Sequence, residues 1–143
     1  MSGRLFFTAA AFLLPLAFAS GVAAATLRVA PISVELKGGA SASSVRVWND
    51  DKTPVRVQAR VFRSLEKNGK AVLQPTRDVV ASPPMATLKP GTENLIRIVR
   101  VSKKPVDHKE TYRLVIDQLP DAAQVKPGTV KILVRHAIPV SFE

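Results

Sequence analysis

The residues able to do acid–base or nucleophilic chemistry are few in this 143-residue chain, and they stand apart. There is no cysteine, which removes thiol nucleophiles, thiolate metal sites and disulfides together. The two histidines are His108, in a charged stretch, and His136, inside an apolar run. Neither has a nucleophile, a carboxylate cluster or further metal ligands at useful spacing. A His108–His136 metal site is therefore not expected, no cofactor is implied, and the chain does not read as an enzyme.

The basic residues are the other candidates. The sequence holds 21 Lys and Arg, one of them Arg4, against 11 Asp and Glu, so residues 26–143 carry a net charge of about +9. That excess raises nucleic acid or an anionic surface as a partner. The cations are spaced singly among apolar residues, as at Arg56, Arg60, Arg97 and Arg100, and no run of four occurs. This is the pattern of solvated strand faces, and no nucleic-acid partner is expected.

What remains is backbone chemistry at the end of the chain. Val130, Ile132, Val134, Ile138, Val140 and Phe142 share one parity, interrupted only by His136. Leu133 and Ala137 add apolar character on the other parity, beside Lys131 and Arg135. Such a strand exceeds the usual five or six residues. Two readings are open. The row faces this domain's own core, or it is offered to a partner protein by strand addition, with main-chain hydrogen bonds for affinity and alternate side chains in the partner's pockets. Burying each Val or Ile would contribute roughly 1.5–3 kcal/mol. Pro139 adds a clue, because a residue without an N–H belongs on an unpaired strand edge.

The elements that must hold this strand are legible as follows. Arg4 precedes an uncharged stretch at residues 5–19, which ends in the small residues Ser20-Gly21-Val22-Ala23-Ala24-Ala25. This is the layout of a secretory signal peptide occupying residues 1–25, so the mature chain starts at Thr26 and is not embedded in a membrane. Residues 26–143 make one domain. Period-2 alternation dominates, with strands expected at 27–36, 44–49, 55–61, 79–81, 94–101, 110–119 and 129–142. Asn68-Gly69, Pro90-Gly91 and Pro127-Gly128 supply turns. Seven strands without a helix point to an all-β, seven-stranded immunoglobulin-like sandwich, with an up-and-down barrel as the alternative. At Pro31 the apolar phase changes from Leu27 and Val29 to Ile32, Val34 and Leu36, so the first strand is expected to kink there and change sheet.

The order and spacing of several motifs resemble the periplasmic chaperones of chaperone–usher pilus assembly. They are Leu27-Arg28-Val29-Ala30-Pro31, Val45-Arg46-Val47-Trp48-Asn49, the stretch from Pro75 to Pro84, Leu88-Lys89-Pro90-Gly91, Ile96-Arg97-Ile98, Glu110-Thr111-Tyr112-Arg113-Leu114, Leu119-Pro120 and Ile138-Pro139-Val140. The resemblance implies a non-enzymatic protein of the periplasm. Its partners would be pilus or coat-like fimbrial subunits, which lack a last strand, and an outer-membrane usher. It also implies that Val130, Ile132 and Val134 are the donated residues, and that a cis-proline turn falls at Pro83-Pro84. Members commonly anchor the subunit's terminal carboxylate with an arginine and a lysine at positions that here hold Ser33 and Pro139, so Arg113 becomes the candidate anchor. The family has two immunoglobulin-like domains, of which this sequence carries the first. The expectation is therefore a truncated gene product or a one-domain protein on the same scaffold. The alternative function is an exported binding or structural module without chaperone activity.

Overall fold

A computed structural model of the protein describes residues 27–124, 126–128, 130 and 132–143. The leader expected at residues 1–25 lies outside them. In chain order the strands are β1 (Leu27–Ala30), β2 (Val34–Leu36), β3 (Ala42–Asn49), β4 (Val55–Lys67), β5 (Lys70–Pro75), β6 (Val79–Ser82), β7 (Met85–Leu88), β8 (Glu93–Arg100), β9 (Glu110–Gln118) and β10 (Arg135–Phe142). One sheet runs β1-β3-β8-β6. The other runs β2-β10-β9-β4-β5, with β7 paired to the first part of β4. The two sheets form the all-β sandwich expected from the alternation, and a short 3₁₀ turn at Ala122–Gln124 joins β9 to the segment before β10.

The phase change at Pro31 has the expected structural meaning. β1 pairs antiparallel with β3, whereas β2 pairs parallel with β10, so the first segment serves both sheets. Leu27 is buried before the change, and Val34 and Leu36 after it. This split is one reason for ten strands where seven were expected. The other additions are β5 and β7. Asn68 and Gly69, both at positive φ (52° and 72°), form the two-residue turn that returns β4 as β5. The alternation fades after Val61, which is why the sequence reading ended β4 there.

The inward residues of the sheets meet in one core that includes Val45, Val47, Ile98, Val57, Leu114 and Phe142. Tyr112 and Phe142 close one end of it edge to face, with ring centroids 5.8 Å apart. Two polar groups organise the margins. Asn49 is fully buried; its Nδ2 donates to the Thr53 and Leu88 carbonyls, both at 2.9 Å, and its Oδ1 accepts from the Asp51 amide. Its backbone carbonyl accepts from Gly91 at 2.7 Å. One residue therefore supplies the β3–β4 turn, the end of β7 and the β7–β8 turn.

At the opposite margin Arg100 and Glu110, each with a side chain 8% exposed, form a bidentate pair at 2.9 and 3.0 Å. The spare Nη1 of Arg100 donates to the carbonyls of Ser102 and Lys104, and Tyr112 donates to Glu110 at 2.8 Å. The guanidinium, helped by the tyrosine against the opposing effect of burial, holds the Glu110 carboxyl at about 2 against an ordinary 4.5. Burial and the bond to Glu110 push the Tyr112 hydroxyl up to about 12.

Two predictions follow from these margins. Asn49→Ala strips two carbonyls and an amide of their partner and should cost about 3 kcal/mol, read as a lower urea midpoint at unchanged m. Glu110 titrates lower in the folded state than in the unfolded one. Its contribution, up to about 3 kcal/mol, is complete above the ordinary carboxylate range and disappears as pH falls from about 5 towards 2. Glu110→Gln should therefore be less stable at neutral pH and show a flatter loss of stability across that acid window in denaturant titrations.

Candidate functional site

β10 closes the sandwich at one end and leaves it open at the other. Ile138, Val140 and Phe142 are buried between the sheets. His136, the next residue of the same parity, is half-buried and donates from Nε2 to the Leu27 carbonyl at 2.9 Å. Its ring thus ends the core row with a satisfied polar contact. Val134 packs against the margin of the core, while Ile132 and Val130 are 82% and 93% exposed. The single row read from the sequence is therefore divided, with its later half in the core and its earlier half in solvent.

The expected strand at 129–142 accordingly begins only at Arg135. The reason lies in β9. Gln118 donates its amide to the Val134 carbonyl at 2.9 Å; the Leu119 amide, by the alternation of a central strand, goes to Arg56 on β4, and Pro120, the next position due to face β10, has no N–H to give. Among the described residues, Val130, Ile132 and Leu133 consequently have no ladder partner on β9. On its other side β10 is covered by β2 only over Val140–Phe142. The Gln118–Val134 bond sets the alternation of the antiparallel ladder, so the backbone groups of Arg135 and Ala137 point to this open edge. Pro139 stands on the same edge, where its missing N–H costs no bond to β9.

The root of the exposed segment is heavily tied. The Asp117 carboxylate accepts from Arg60 on β4 at 2.8 Å and from Arg135 at the start of β10. Burial alone would raise the Asp117 carboxyl, yet the two guanidiniums outweigh it and hold the group below its ordinary range. The Gln118 side chain accepts from the Val134 amide at 3.3 Å. A cleft of about 370 Å³ opens here, with Leu133 on its wall. Asp117 and Gln118 were not singled out in the sequence. The available signal was one acid on the outward parity of β9 between two arginines of matching parity.

Arg113 lies in a second cleft, of about 230 Å³, and stands opposite Pro139 in the β9–β10 register. Ser33, Pro139 and Lys109 line the same cleft. Lys109 is engaged by Glu143 at 2.7 Å, and this contact, with Lys37 beyond it, keeps the Glu143 carboxyl below its ordinary range. Arg113 has no carboxylate partner among the described residues, so it is the cation left available there. Pro83 and Pro84 line neither cleft; they carry the chain from β6 in one sheet to β7 in the other. The Ser82–Pro83 peptide bond is cis, as is Ala30–Pro31, and the Pro84 carbonyl accepts from Ala59 at 2.8 Å. Among the described residues, no group of three or more His, Asp or Glu could hold a metal ion, and no helix is long and apolar enough to cross a membrane.

Two packed sheets, a first segment shared between them and a last strand held by both β9 and β2 define an immunoglobulin-like sandwich. Within that class the chain belongs to the pili and flagellar-assembly chaperone family, with residues 26–143 matching the PapD N-terminal domain. Three solved structures illustrate the likeness. A chain of the CsuC–CsuE chaperone–tip adhesion subunit pre-assembly complex, from archaic chaperone-usher Csu pili of Acinetobacter baumannii, is 26% identical with a TM-score of 0.71, over 82% of this chain and 56% of that one. A chain of the Salmonella enterica SafA pilin–SafB chaperone complex is 20% identical with a TM-score of 0.64, over 81% and 53%. The class 5 fimbriae chaperone CfaA is 17% identical with a TM-score of 0.68, over 80% and 55%. The last two share the fold. This chain thus spans little more than half the length of the structures it matches. Curated protein sequences give no match.

The divided row makes a direct prediction about stability. Phe142→Ala empties a core position and should cost roughly 3–5 kcal/mol. Ile132→Ala touches no core and should stay within about 0.5 kcal/mol of the parent in the same denaturant titration.

Proposed function

We propose that residues 1–25 are a leader removed on export and that residues 26–143 are the subunit-binding domain of a periplasmic pilus-assembly chaperone. The domain lends Val130, Ile132 and Val134 to a pilus or coat-like fimbrial subunit that lacks its own last strand, and an outer-membrane usher later receives the capped subunit. The observation that carries this reading is the placement of Ile132 and Val130 in solvent, in phase with a row whose other half is core. An apolar row continuous with β10 but without a partner in its own domain suits strand addition, and the open β10 edge suits main-chain pairing.

Arg113 fits the role of carboxylate anchor. It is a guanidinium without a carboxylate partner among the described residues, in the cleft lined by Ser33 and Pro139, where the resemblance places the family's basic pair. A bidentate guanidinium–carboxylate contact would replace the missing pair from the neighbouring strand.

Co-expression with a fimbrial subunit, followed by recovery of the complex from the periplasm, tests both assignments. Ile132→Asp places a charge in the subunit's apolar groove and should abolish recovery while leaving the isolated domain folded. Arg113→Ala should weaken the recovered complex about tenfold, as expected for a lost charge-assisted bidentate contact. Undiminished recovery with Ile132→Asp would instead leave a binding or structural module without chaperone activity.

A further inference from the structure

We infer that Asp117 and Gln118 form a register lock at the root of the exposed segment: positioning residues that fix where β10 leaves β9 and keep Val130, Ile132 and Val134 in phase with the buried row. The purpose assigned to the lock rests on the strand-donation reading, but the lock itself is measurable without any subunit.

The geometry supports this in three ways. First, Asp117 is gripped from both flanks, diagonally by Arg60 on β4 and directly by Arg135 at the first position of β10, so one carboxylate ties three adjacent strands. Its side chain is well covered, which lets these contacts act with little competition from water. Second, the last rung of the ladder is made partly by a side chain. Gln118 donates its backbone amide to the Val134 carbonyl, and its Oε1 accepts from the Val134 amide. The ladder is thereby extended one residue beyond β10 and then stops, because Pro120, the next position due to face β10, has no N–H. Third, the segment beyond carries different chemistry on its two parities. Val130, Ile132 and Val134 are all apolar, whereas the other parity carries the cations Lys131 and Arg135 with Leu133 between them. A slip of one residue would exchange those faces and present cations where apolar residues belong.

Burial of Ile138, Val140 and Phe142 sets the phase of β10, and the lock carries that phase past His136 to the point of exit. The strand's nearest deep core contact on this side is Ile138, because His136 reaches only the Leu27 carbonyl at the margin. Arg135 and Ala137 have outward side chains and cannot set the phase by burial. Between Val134, which packs only at the core margin, and Ile138, the lock adds an ion pair and a hydrogen bond to limited packing.

The test is amide hydrogen exchange on the full chain, comparing the parent with Gln118→Ala and Asp117→Asn. Gln118→Ala removes one side-chain acceptor and keeps the fold secure, so it stands if the aspartate variant is unstable. In both variants exchange at the Val134 and His136 amides should rise about tenfold or more, while the Val140 amide, deep in the core, should keep its parent rate. If Val134 and His136 do not change, or if Val140 accelerates equally with them, the lock is overturned and the two residues contribute only to global stability. Subunit recovery with Ile132→Asp, measured in parallel, separates the two ideas. Undiminished recovery there rejects strand donation, whereas unchanged exchange here rejects the lock.

Discussion

The alternation of side chains along β10 is the constraint on which the rest of the domain depends. A pleated strand sends every second residue to the same side, so the residues that close the core also dictate where the residues before them point. Ile138, Val140 and Phe142 fix that phase by burial between the sheets. β9 and β2 hold the strand from its two sides over Val140–Phe142, and only β9 continues beyond. The exposed residues inherit their direction from the buried ones, and the domain can be read as a mount for a segment it does not itself cover.

The mount is rigid because its margins are satisfied by a few multivalent groups. Arg100 spends its donors on Glu110 and on two loop carbonyls, which holds the β8–β9 connection against the end of β9. Among described residues that are not exposed, no fully buried side-chain nitrogen or oxygen lacks a hydrogen-bond partner. Acidic groups are scarce in this basic chain, and six of the eleven lie within ion-pair distance of an arginine or lysine. The free surface is consequently cationic, and Arg113 is notable for its position in a cleft beside β10 rather than for its charge alone.

Much of this was legible in the residues. The change of sheet at Pro31 followed from one shift in apolar phase, and the turn at Asn68-Gly69 from two residues that tolerate positive φ. The start of β10 was not legible, because the row from Val130 to Phe142 has the same period throughout. What divides it lies in another segment, where Pro120 stands at the next position due to face β10 and has no N–H to offer. Periodicity records which face a residue is on, not whether a neighbouring strand is there to pair with it. The extra strands β5 and β7 were missed for a related reason, since short edge pairings to β4 carry little alternation of their own. Asn49 and Asp117 were also passed over. Each looks ordinary as a residue type and owes its importance to partners far away in sequence.

Asn49 has one further consequence, which concerns time rather than energy. Its two side-chain protons go to carbonyls four and 39 residues distant. Satisfying the near one orients the amide correctly, but the far one does not exist for it until Leu88 has arrived. As the chain emerges from its N-terminus, the β3–β4 turn must therefore wait, half-bonded, for β7 and the turn behind it. The far bond makes that end of the sandwich depend on a non-local contact, whose formation carries the closure entropy of the long intervening loop.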